Sequence, residues 1–212
     1  ETEDGLGYSG NELEGMQIAG NTFDYPFVHG KAIQTAGRYS FVSCSSETVE
    51  SGSTDLSPYY MVDIIYGAEN STLSNRMQQA LTNYCRGGGK LFISSYIGNK
   101  LGDTNFTANV LKYTYGGSMK HVRSGEIFGT NIRFQIPRGA NEQTYAVPAP
   151  DCILPAEQAF PVFCYTEGKQ CAGVAYKGAY RTFVLGFPFE SIVNADQRTH
   201  VMKAMLHFFE EK

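Results

Sequence analysis

Three consecutive glycines at residues 87–89 are the feature of this chain that most limits its fold. Apolar residues before the glycines recur at three- and four-residue spacing, which predicts a helix over residues 75–85. Glycine ends such a helix because it adopts the left-handed backbone conformation without a Cβ clash. The apolar run that follows, over residues 90–94, is too short for a helix and is typical of a buried parallel strand. A helix, a tight turn and a buried strand in this order indicate an α/β fold.

Further strand and helix patterns extend this unit along the chain. They predict strands over residues 38–44 and 60–66, a helix over residues 103–113 and an amphipathic helix over residues 195–210. Strands that are linked through helices pair in parallel by right-handed crossovers. Between residues 126 and 187, alternating apolar runs separated by Gly and Pro predict antiparallel strands. We therefore expect a three-layer α/β sandwich with a mostly parallel sheet and an antiparallel extension.

The first part of the chain differs in character from the rest. Residues 1–37 are rich in Gly, Asn and Tyr without a sustained hydrophobic period, so we expect an ordered but irregular arm packed on the domain. Residues 38–212 contain no repeat or linker that would divide them, which predicts a single α/β domain. As an alternative, part of the arm is a ligand-contacting loop that uses Asp24, His29 and Lys31.

The overall composition excludes some classes of function. Of the 212 residues, 42% are hydrophobic and 18% are charged, as in globular proteins with a lightly charged surface. The formal net charge is -4 and no basic stripe is present, so nucleic acid is not an expected partner. No apolar run approaches the ~20 residues that a membrane-spanning helix needs. The chain begins at Glu1 without an initiator Met or a signal peptide, so we expect a processed protein.

Neither a metal site nor a cofactor is predicted. The four histidines are scattered, and the five cysteines lack metal-ligand spacing. The glycine run precedes a strand, whereas a phosphate-binding loop leads into the N-terminus of a helix. Cys164 and Cys171 flank a turn at residues 167–169, so a disulfide across a hairpin is one interpretation. Free buried thiols that act as small hydrophobic side chains are the favoured one.

Polar residues follow the predicted strands at the points where those strands end. The candidate ligand-binding residues at these positions are Ser45, Glu69, Ser95, Tyr96 and Glu190. Because the carboxyl ends of parallel strands meet at one edge of the sheet, we expect these side chains to lie close together. Such an edge is the usual ligand crevice of open α/β sheets.

A hydrolase at this edge would need a nucleophile, a base and an orienting acid. The candidates for these three roles are Ser94 or Ser95, His200 or His29, and Glu190. Large residues flank the two serines, whereas a nucleophile elbow has small residues on both sides to relieve its strained turn. The local pattern therefore disfavours a catalytic triad.

Carbohydrate binding is the alternative class of function. Tyrosine rings are amphipathic, so that an exposed ring stacks on the C–H face of a sugar while its hydroxyl stays hydrated. The candidate residues are Tyr96, Tyr113, Tyr115 and Tyr145. Strand-rich folds also bury many tyrosines, so the composition alone does not decide between a sugar-binding surface and a core.

Three segments together resemble the glutamine-amidotransferase-like, flavodoxin-like fold. They are YMVDIIYGAE at residues 60–69, GGGKLFISSYIG at residues 87–98 and LGFPFESI at residues 185–192. The segment IAGNTFDYPFVHGKAI at residues 18–33 and the segment FVSCS at residues 41–45 are similar to the C-terminal part of secreted bacterial proteins called xanthan lyases. The resemblance implies a class I amidotransferase-like sheet and a secreted, periplasmic or cell-surface location.

The resemblance also bears on activity. Catalytic amidotransferases carry a cysteine at the elbow after the glycine-preceded strand, where this chain has Ser95 or Tyr96. They carry a histidine before Pro-Glu near the last strand, whereas Pro188 here follows Phe187. We therefore expect a non-catalytic module of an exported polysaccharide-processing protein, with polysaccharide or other domains of the same chain as partners. The alternative is a polysaccharide lyase or hydrolase that uses Ser95, Tyr96 and Glu190 at the same edge.

Overall fold

The computed structural model describes residues 25–67, 72–96, 101–120, 124–127, 132–137 and 147–211. Its helices are α1 (Tyr25–Ala36), α2 (Ser46–Glu50), α3 (Asn75–Arg86) and α4 (Ala195–Glu210), with a π-helix at Phe106–Leu111 and a 3-10 turn at Phe189–Ser191. The strands are β1 (Val62–Gly67), β2 (Lys90–Ser95), β3 (Tyr113–Ser118), β4 (Ser124–Ile127), β5 (Arg133–Gln135), β6 (Asp151–Pro155), β7 (Phe160–Tyr165), β8 (Cys171–Lys177) and β9 (Arg181–Leu185).

Seven of these strands form one mixed sheet in the order β1-β2-β9-β8-β7-β4-β5. Strands β1, β2 and β9 pair in parallel, and the pairs from β9 through β8, β7 and β4 to β5 are antiparallel. Strands β3 and β6 form a separate antiparallel pair. The predicted α/β class and the antiparallel extension are confirmed. In the described ranges, parallel pairing is confined to β1, β2 and β9, so the parallel part of the sheet is smaller than expected.

The glycine turn at residues 87–89 joins α3 to β2 as the sequence predicts. Ser74 begins α3, since its hydroxyl accepts a hydrogen bond of 3.1 Å from the Met77 N–H. The helix ends at Gly87, and Gly88 has a positive φ of 89° that favours glycine. The Gly89 N–H then donates to the Tyr84 carbonyl at 3.0 Å, which closes the turn and directs the chain into β2. The predictions of a helix over residues 75–85 and a strand over residues 90–94 are confirmed.

Alternate residues of β2 pack into two separate hydrophobic cores, because successive side chains of a strand point to opposite faces of the sheet. Phe92 belongs to the core that contains buried residues of α1 and α4. Leu91 and Ile93 belong to the core that contains buried residues of α3 and of the π-helix. Side chains on both sides of β2 therefore pack against helices.

The strand predicted over residues 38–44 is not formed, and that prediction is wrong. The segment has no strand pairing, and Phe41 and Val42 are 39% and 72% exposed. A side chain of this segment packs elsewhere instead: the Tyr39 ring stacks on the Tyr60 ring at 5.6 Å between centroids. Among the described strands, β1 therefore forms the edge of the sheet.

The irregular arm predicted over residues 1–37 is wrong where the structure describes it. Residues 1–24, including the candidate Asp24, lie outside the described residues, and residues 25–36 form α1. Pro26 is compatible with the first turn of a helix, where the missing N–H has no intrahelical partner. The buried side of the helix consists of His29, Gly30, Ala32 and Ile33. This is a helical spacing, but several of these residues are small or polar. They therefore do not produce the apolar period from which a helix is predicted.

The helix predicted over residues 103–113 is present in a different form. Its main part is the π-helix, which ends where Lys112 has a positive φ of 66°. Three carbonyls at this end accept side-chain hydrogen bonds from the start of β9. The Tyr180 hydroxyl shares its one proton between the Asn109 and Val110 carbonyls at 3.0 and 2.9 Å, and the Thr182 hydroxyl donates to the Leu111 carbonyl at 3.0 Å. The orphan carbonyls of this helix end are thus satisfied by the sheet.

The predicted helix over residues 195–210 is confirmed as α4. Asn194 caps its N-terminus by accepting a hydrogen bond of 2.8 Å from the Asp196 N–H. At its C-terminus, the Arg181 guanidinium donates to the Phe208 and Phe209 carbonyls at 2.8 and 2.6 Å. A cation at the negative end of the helix dipole is stabilising. Arg181 therefore fastens the last helix to the sheet.

All five cysteines are free thiols. Cys164 and Cys171 lie directly opposite each other in the β7–β8 pair, and both are buried. Burial raises the pKa of the Cys171 thiol to about 12. A thiol with such a pKa is almost entirely protonated at neutral pH, so it packs as a small hydrophobic group.

We predict that Gly89→Ala destabilises the fold while Gly87→Ala does not. A Cβ on Gly89 would lie 2.6 Å from the Tyr84 carbonyl oxygen, a backbone atom that cannot move away cheaply. We expect a loss of about 2 kcal/mol in the free energy of unfolding, as for overpacking of a tight site. A Cβ on Gly87 would meet the same oxygen at 3.4 Å, with φ at -75°. Urea denaturation of both variants tests this, and equal stabilities would contradict it.

Candidate functional site

The structure places the five predicted ligand-binding residues in different environments. Ser95 and Glu190 are 5% and 3% exposed, and Tyr96 is half-buried. Ser45 is exposed and begins α2, where its side chain hydrogen-bonds to Glu47 and holds the pKa of that carboxyl below its usual range. Glu69 lies outside the described residues. The predicted open crevice is therefore wrong at Ser95 and Glu190, which have almost no contact with solvent.

Glu190 instead belongs to a buried ionic cluster with His29 and Asp63, which we call the histidine cluster. His29 on α1 is 1% exposed. Its Nδ1 donates to Asp63 Oδ2 at 2.8 Å, and its Nε2 donates to Glu190 Oε2 at 3.1 Å. The cluster joins three parts of the chain that are far apart in sequence: α1, β1 and the 3-10 turn after β9.

The charge state of His29 follows from two opposing effects. Burial lowers the pKa of the imidazole, because a charged group is costly in a dry environment. The negative charges and hydrogen bonds of Asp63 and Glu190 raise it by more, so that the pKa rises from 6.5 to about 9. At neutral pH the imidazole is therefore protonated, and both ring N–H groups are used as donors. A protonated histidine with both nitrogens engaged cannot accept a proton as a general base.

Aromatic side chains fill the space around the histidine cluster. Phe187 and Phe189 have no exposed surface. The Phe189 ring meets the His29 ring edge-on at 4.7 Å between centroids, and Phe187 stacks on Phe134 at 4.6 Å. The turn after β9 is therefore part of the core. Among the described residues, these rings and His29 enclose the carboxylate of Glu190, and the Glu190 side chain is 1% exposed.

The hydrolase triad that the sequence pattern disfavours is not assembled among the described residues. His29 contacts carboxylates and His200 is exposed on α4. The Ser94 hydroxyl is buried and has no hydrogen-bond partner within the described part of the chain, so no base activates it there. Nucleophilic catalysis needs a base within hydrogen-bond reach of the nucleophile.

The candidate sugar-stacking tyrosines also differ from one another in their exposure to solvent. Tyr113 is 4% exposed and packs in the core, so the alternative of a buried tyrosine holds at this position. Tyr115 is 37% exposed, and its hydroxyl lies 2.7 Å from the Ser118 hydroxyl. Tyr145 lies outside the described residues. Of the predicted tyrosines, Tyr115 alone is both described and well exposed.

Within the ranges that the structure describes, no group of three or more His, Cys, Asp or Glu side chains is arranged to hold a metal ion. Among the same residues, no helix combines the length and the apolar character needed to cross a bilayer.

Asp63 is the residue of this site that sequence reasoning missed. It interrupts the apolar run of β1, where a charged residue must find a partner because an unpaired buried charge is costly. That interruption was the available signal. The partner was harder to identify, because His29 and Glu190 are 34 and 127 positions away from Asp63 in the chain, the second value following from separations of 161 and 34.

Comparisons with solved structures find this fold in other proteins. An exo-β-1,4-mannosidase from Opitutaceae bacterium strain TAV5 is 11% identical over 87% of this chain and 30% of its own, with a TM-score of 0.57. A GH42 β-galactosidase from G. stearothermophilus is 12% identical over 94% of this chain and 28% of its own, with a TM-score of 0.60. A putative ThuA-like protein from Bacteroides uniformis is 10% identical over 92% of this chain and 86% of its own, with a TM-score of 0.54.

These similarities concern the fold alone, since identities near 10% carry no residue-level information. The chain spans less than a third of the two glycosidases. No protein-family model matches the chain, and no curated protein matches it. The class of protein that the fold defines is thus a mixed α/β domain, one that also occurs as a part of larger enzymes.

We predict that the histidine cluster makes stability depend on pH. A histidine whose pKa is raised on folding contributes fully below its unfolded pKa of 6.5, and the contribution is lost as pH rises towards about 9. The expected loss between pH 6 and pH 9 is about 3 kcal/mol in the free energy of unfolding. Urea denaturation across this range measures it.

Two variants separate this effect from that of other titrating groups. His29→Gln should be less stable at pH 6 and should lack most of the pH dependence between 6.5 and 8.5. His200→Gln, which changes an exposed histidine, should keep the wild-type dependence. The same slope in the wild type and in His29→Gln would show that the cluster is not charged as described.

Proposed function

We propose that this chain is a non-catalytic, amidotransferase-like module of an exported polysaccharide-processing protein. In this role it binds carbohydrate or other domains of the same protein, and those other domains carry out the chemical reaction. The single observation that carries the proposal is the closed corner after β9. There the candidate acid, Glu190, is buried in an ion pair with His29, and its side chain is 1% exposed.

The chemistry at the end of β2 supports the same proposal. The position at which amidotransferases carry a nucleophilic cysteine is occupied here by Ser95 or Tyr96. Ser95 is almost fully buried, and the serine before it lacks a described hydrogen-bond partner. A serine hydroxyl needs an adjacent base to become nucleophilic at neutral pH. Glutamine hydrolysis therefore has neither its nucleophile nor its histidine.

The structural similarities support the amidotransferase-like assignment and the modular character. The ThuA-like protein shares the fold over most of both chains. We extend this to a three-layer sandwich, in which α1 with α4 and α3 with the π-helix cover the two faces of the sheet. In the mannosidase and the galactosidase, the similar region makes up 30% and 28% of the chain. A domain with this fold can therefore form one part of a larger carbohydrate-active enzyme.

The proposal includes an exported location, because the resemblance is to secreted xanthan lyases. A polysaccharide substrate lies outside the cell, so a module that assists its breakdown has to be exported. The lyase and hydrolase alternatives lose support, since they require Ser95, Tyr96 and Glu190 to meet a ligand at one open edge.

We predict that the purified domain is inactive on the substrates that the sequence resemblance suggests. The test follows three products: unsaturated uronate by ultraviolet absorbance with xanthan, new reducing ends with the same polymer, and ammonia from L-glutamine. At high protein concentration the rates should equal those of the Ser95→Ala, Tyr96→Phe double variant. Any product that the wild type forms and this double variant does not would overturn the proposal.

A further inference from the structure

An open groove lies on the other side of the molecule from the histidine cluster, between α3 and the π-helix. Its volume is about 480 Å³, and ten residues line it. This volume falls within the range of small-ligand sites in proteins. None of the predicted ligand-binding residues belongs to this groove.

Carboxamide side chains dominate the lining of the groove. Five of its ten residues are of this type: Asn75, Gln78, Gln79, Asn105 and Asn109. A carboxamide offers two N–H donors and an acceptor oxygen at the same time. A sugar hydroxyl also donates and accepts, so carboxamides match hydroxyls in either direction. The lining is therefore suited to a ligand rich in hydroxyl groups.

The floor of the groove is fixed by a buried glutamine. Gln78 is 6% exposed; its Nε2 donates to the Leu73 carbonyl at 2.7 Å, and its Oε1 accepts from the Asp103 N–H at 3.2 Å. These bonds tie together the two segments that lead into α3 and the π-helix. Phe106, 4% exposed, and the half-buried Val110 add apolar surface beside it. Such a floor can contact the C–H face of a sugar ring without rearranging.

The two rims carry matched pairs of amides. On α3, Gln79 Nε2 donates to Asn83 Oδ1 at 2.9 Å, and on the π-helix side Asn109 Nδ2 donates to Asn105 Oδ1 at 3.3 Å. These pairs hold the side chains in defined positions along each rim. Within the described residues, the acceptor oxygens of Gln79 and Asn109 have no intramolecular hydrogen bond and are left for a ligand. Less conformational entropy is lost on binding when the side chains are already ordered.

The charges of the groove indicate a neutral ligand. Arg86 and Asp103 are its charged lining residues, and their formal charges cancel. A polyanion would need several cations, as multiply charged ligands do in general. A protein partner is also disfavoured, because the centre of a protein interface is aromatic and apolar and not lined by carboxamides.

We propose that the groove between α3 and the π-helix binds a short segment of a neutral oligosaccharide. The groove thereby gives the module of the proposed function a ligand site, on the opposite side of the sheet from the closed corner. The inference builds on that function but depends on different residues. Failure of one therefore leaves the other standing: catalytic turnover would overturn the function, and absent sugar binding would overturn the site.

The test is a titration of the domain with neutral hexasaccharides of glucose, mannose, xylose and galactose, followed by calorimetry. Galacturonic acid hexasaccharide serves as the charged comparison. We expect at least one neutral hexasaccharide to bind with a Kd of about 1 mM or tighter and the acidic one to bind more weakly. Gln79→Ala and Asn109→Ala should each weaken binding by about tenfold, because each removes hydrogen bonds to the ligand.

A matched control is available on the opposite helix layer. Gln34→Ala also truncates an exposed glutamine on a helix, but on α1, and it should leave the Kd unchanged. Thermal unfolding of all three variants shows that they are folded. Three results would each overturn the inference: no binding of any neutral hexasaccharide at about 10 mM, binding that survives both groove substitutions, or preferred binding of the acidic sugar that Arg86→Ala abolishes.

Discussion

The burial of a charged histidine between two carboxylates is the constraint on which the rest of this structure depends. Burying the charged His29 side chain costs free energy because the cation loses its contact with water. Only close hydrogen-bonded partners offset that cost. Asp63 and Glu190 provide them at 2.8 and 3.1 Å. Removing either carboxylate would leave one imidazolium N–H without its acceptor in the dry core, which is more damaging than losing an exposed ion pair. The arrangement of α1, β1 and the turn after β9 is therefore interdependent.

This constraint also explains why the carboxyl edge of the sheet is closed. For Glu190 to reach His29, the chain after β9 has to fold back over the sheet, and this carries Phe187 and Phe189 into the core. The turn after β9 is therefore used for packing. On the opposite face, by contrast, α3 and the π-helix are separated enough to leave a polar groove. Both faces of the sheet are therefore packed against helices, and the groove lies between the two helices on one of them.

The parts of the fold that could be predicted from the sequence are those encoded locally. The glycines at residues 87–89 mark the end of α3 and the start of β2, because the backbone conformation at Gly88 and the close approach at Gly89 both need glycine. The alternation over residues 38–44 was misleading, since alternate side chains also suit an extended segment that lies outside the sheet. The histidine cluster was beyond local reasoning: His29 and Glu190 meet only after 161 positions of chain have folded. The closure of the corner after β9 follows from this cluster, so it could not be predicted from local sequence either.

An ionic cluster fixes geometry in a way that an apolar contact does not. Hydrophobic packing is non-directional, so a leucine at position 29 would hold α1 on the sheet without defining its rotation. The imidazolium has two N–H groups at a fixed angle, and each has its own carboxylate acceptor, one from β1 and one from the turn after β9. Both bonds are satisfied only when α1 has one orientation and the turn one position. The cluster therefore specifies a single arrangement of the helix layer, even where apolar residues of similar volume would give comparable stability.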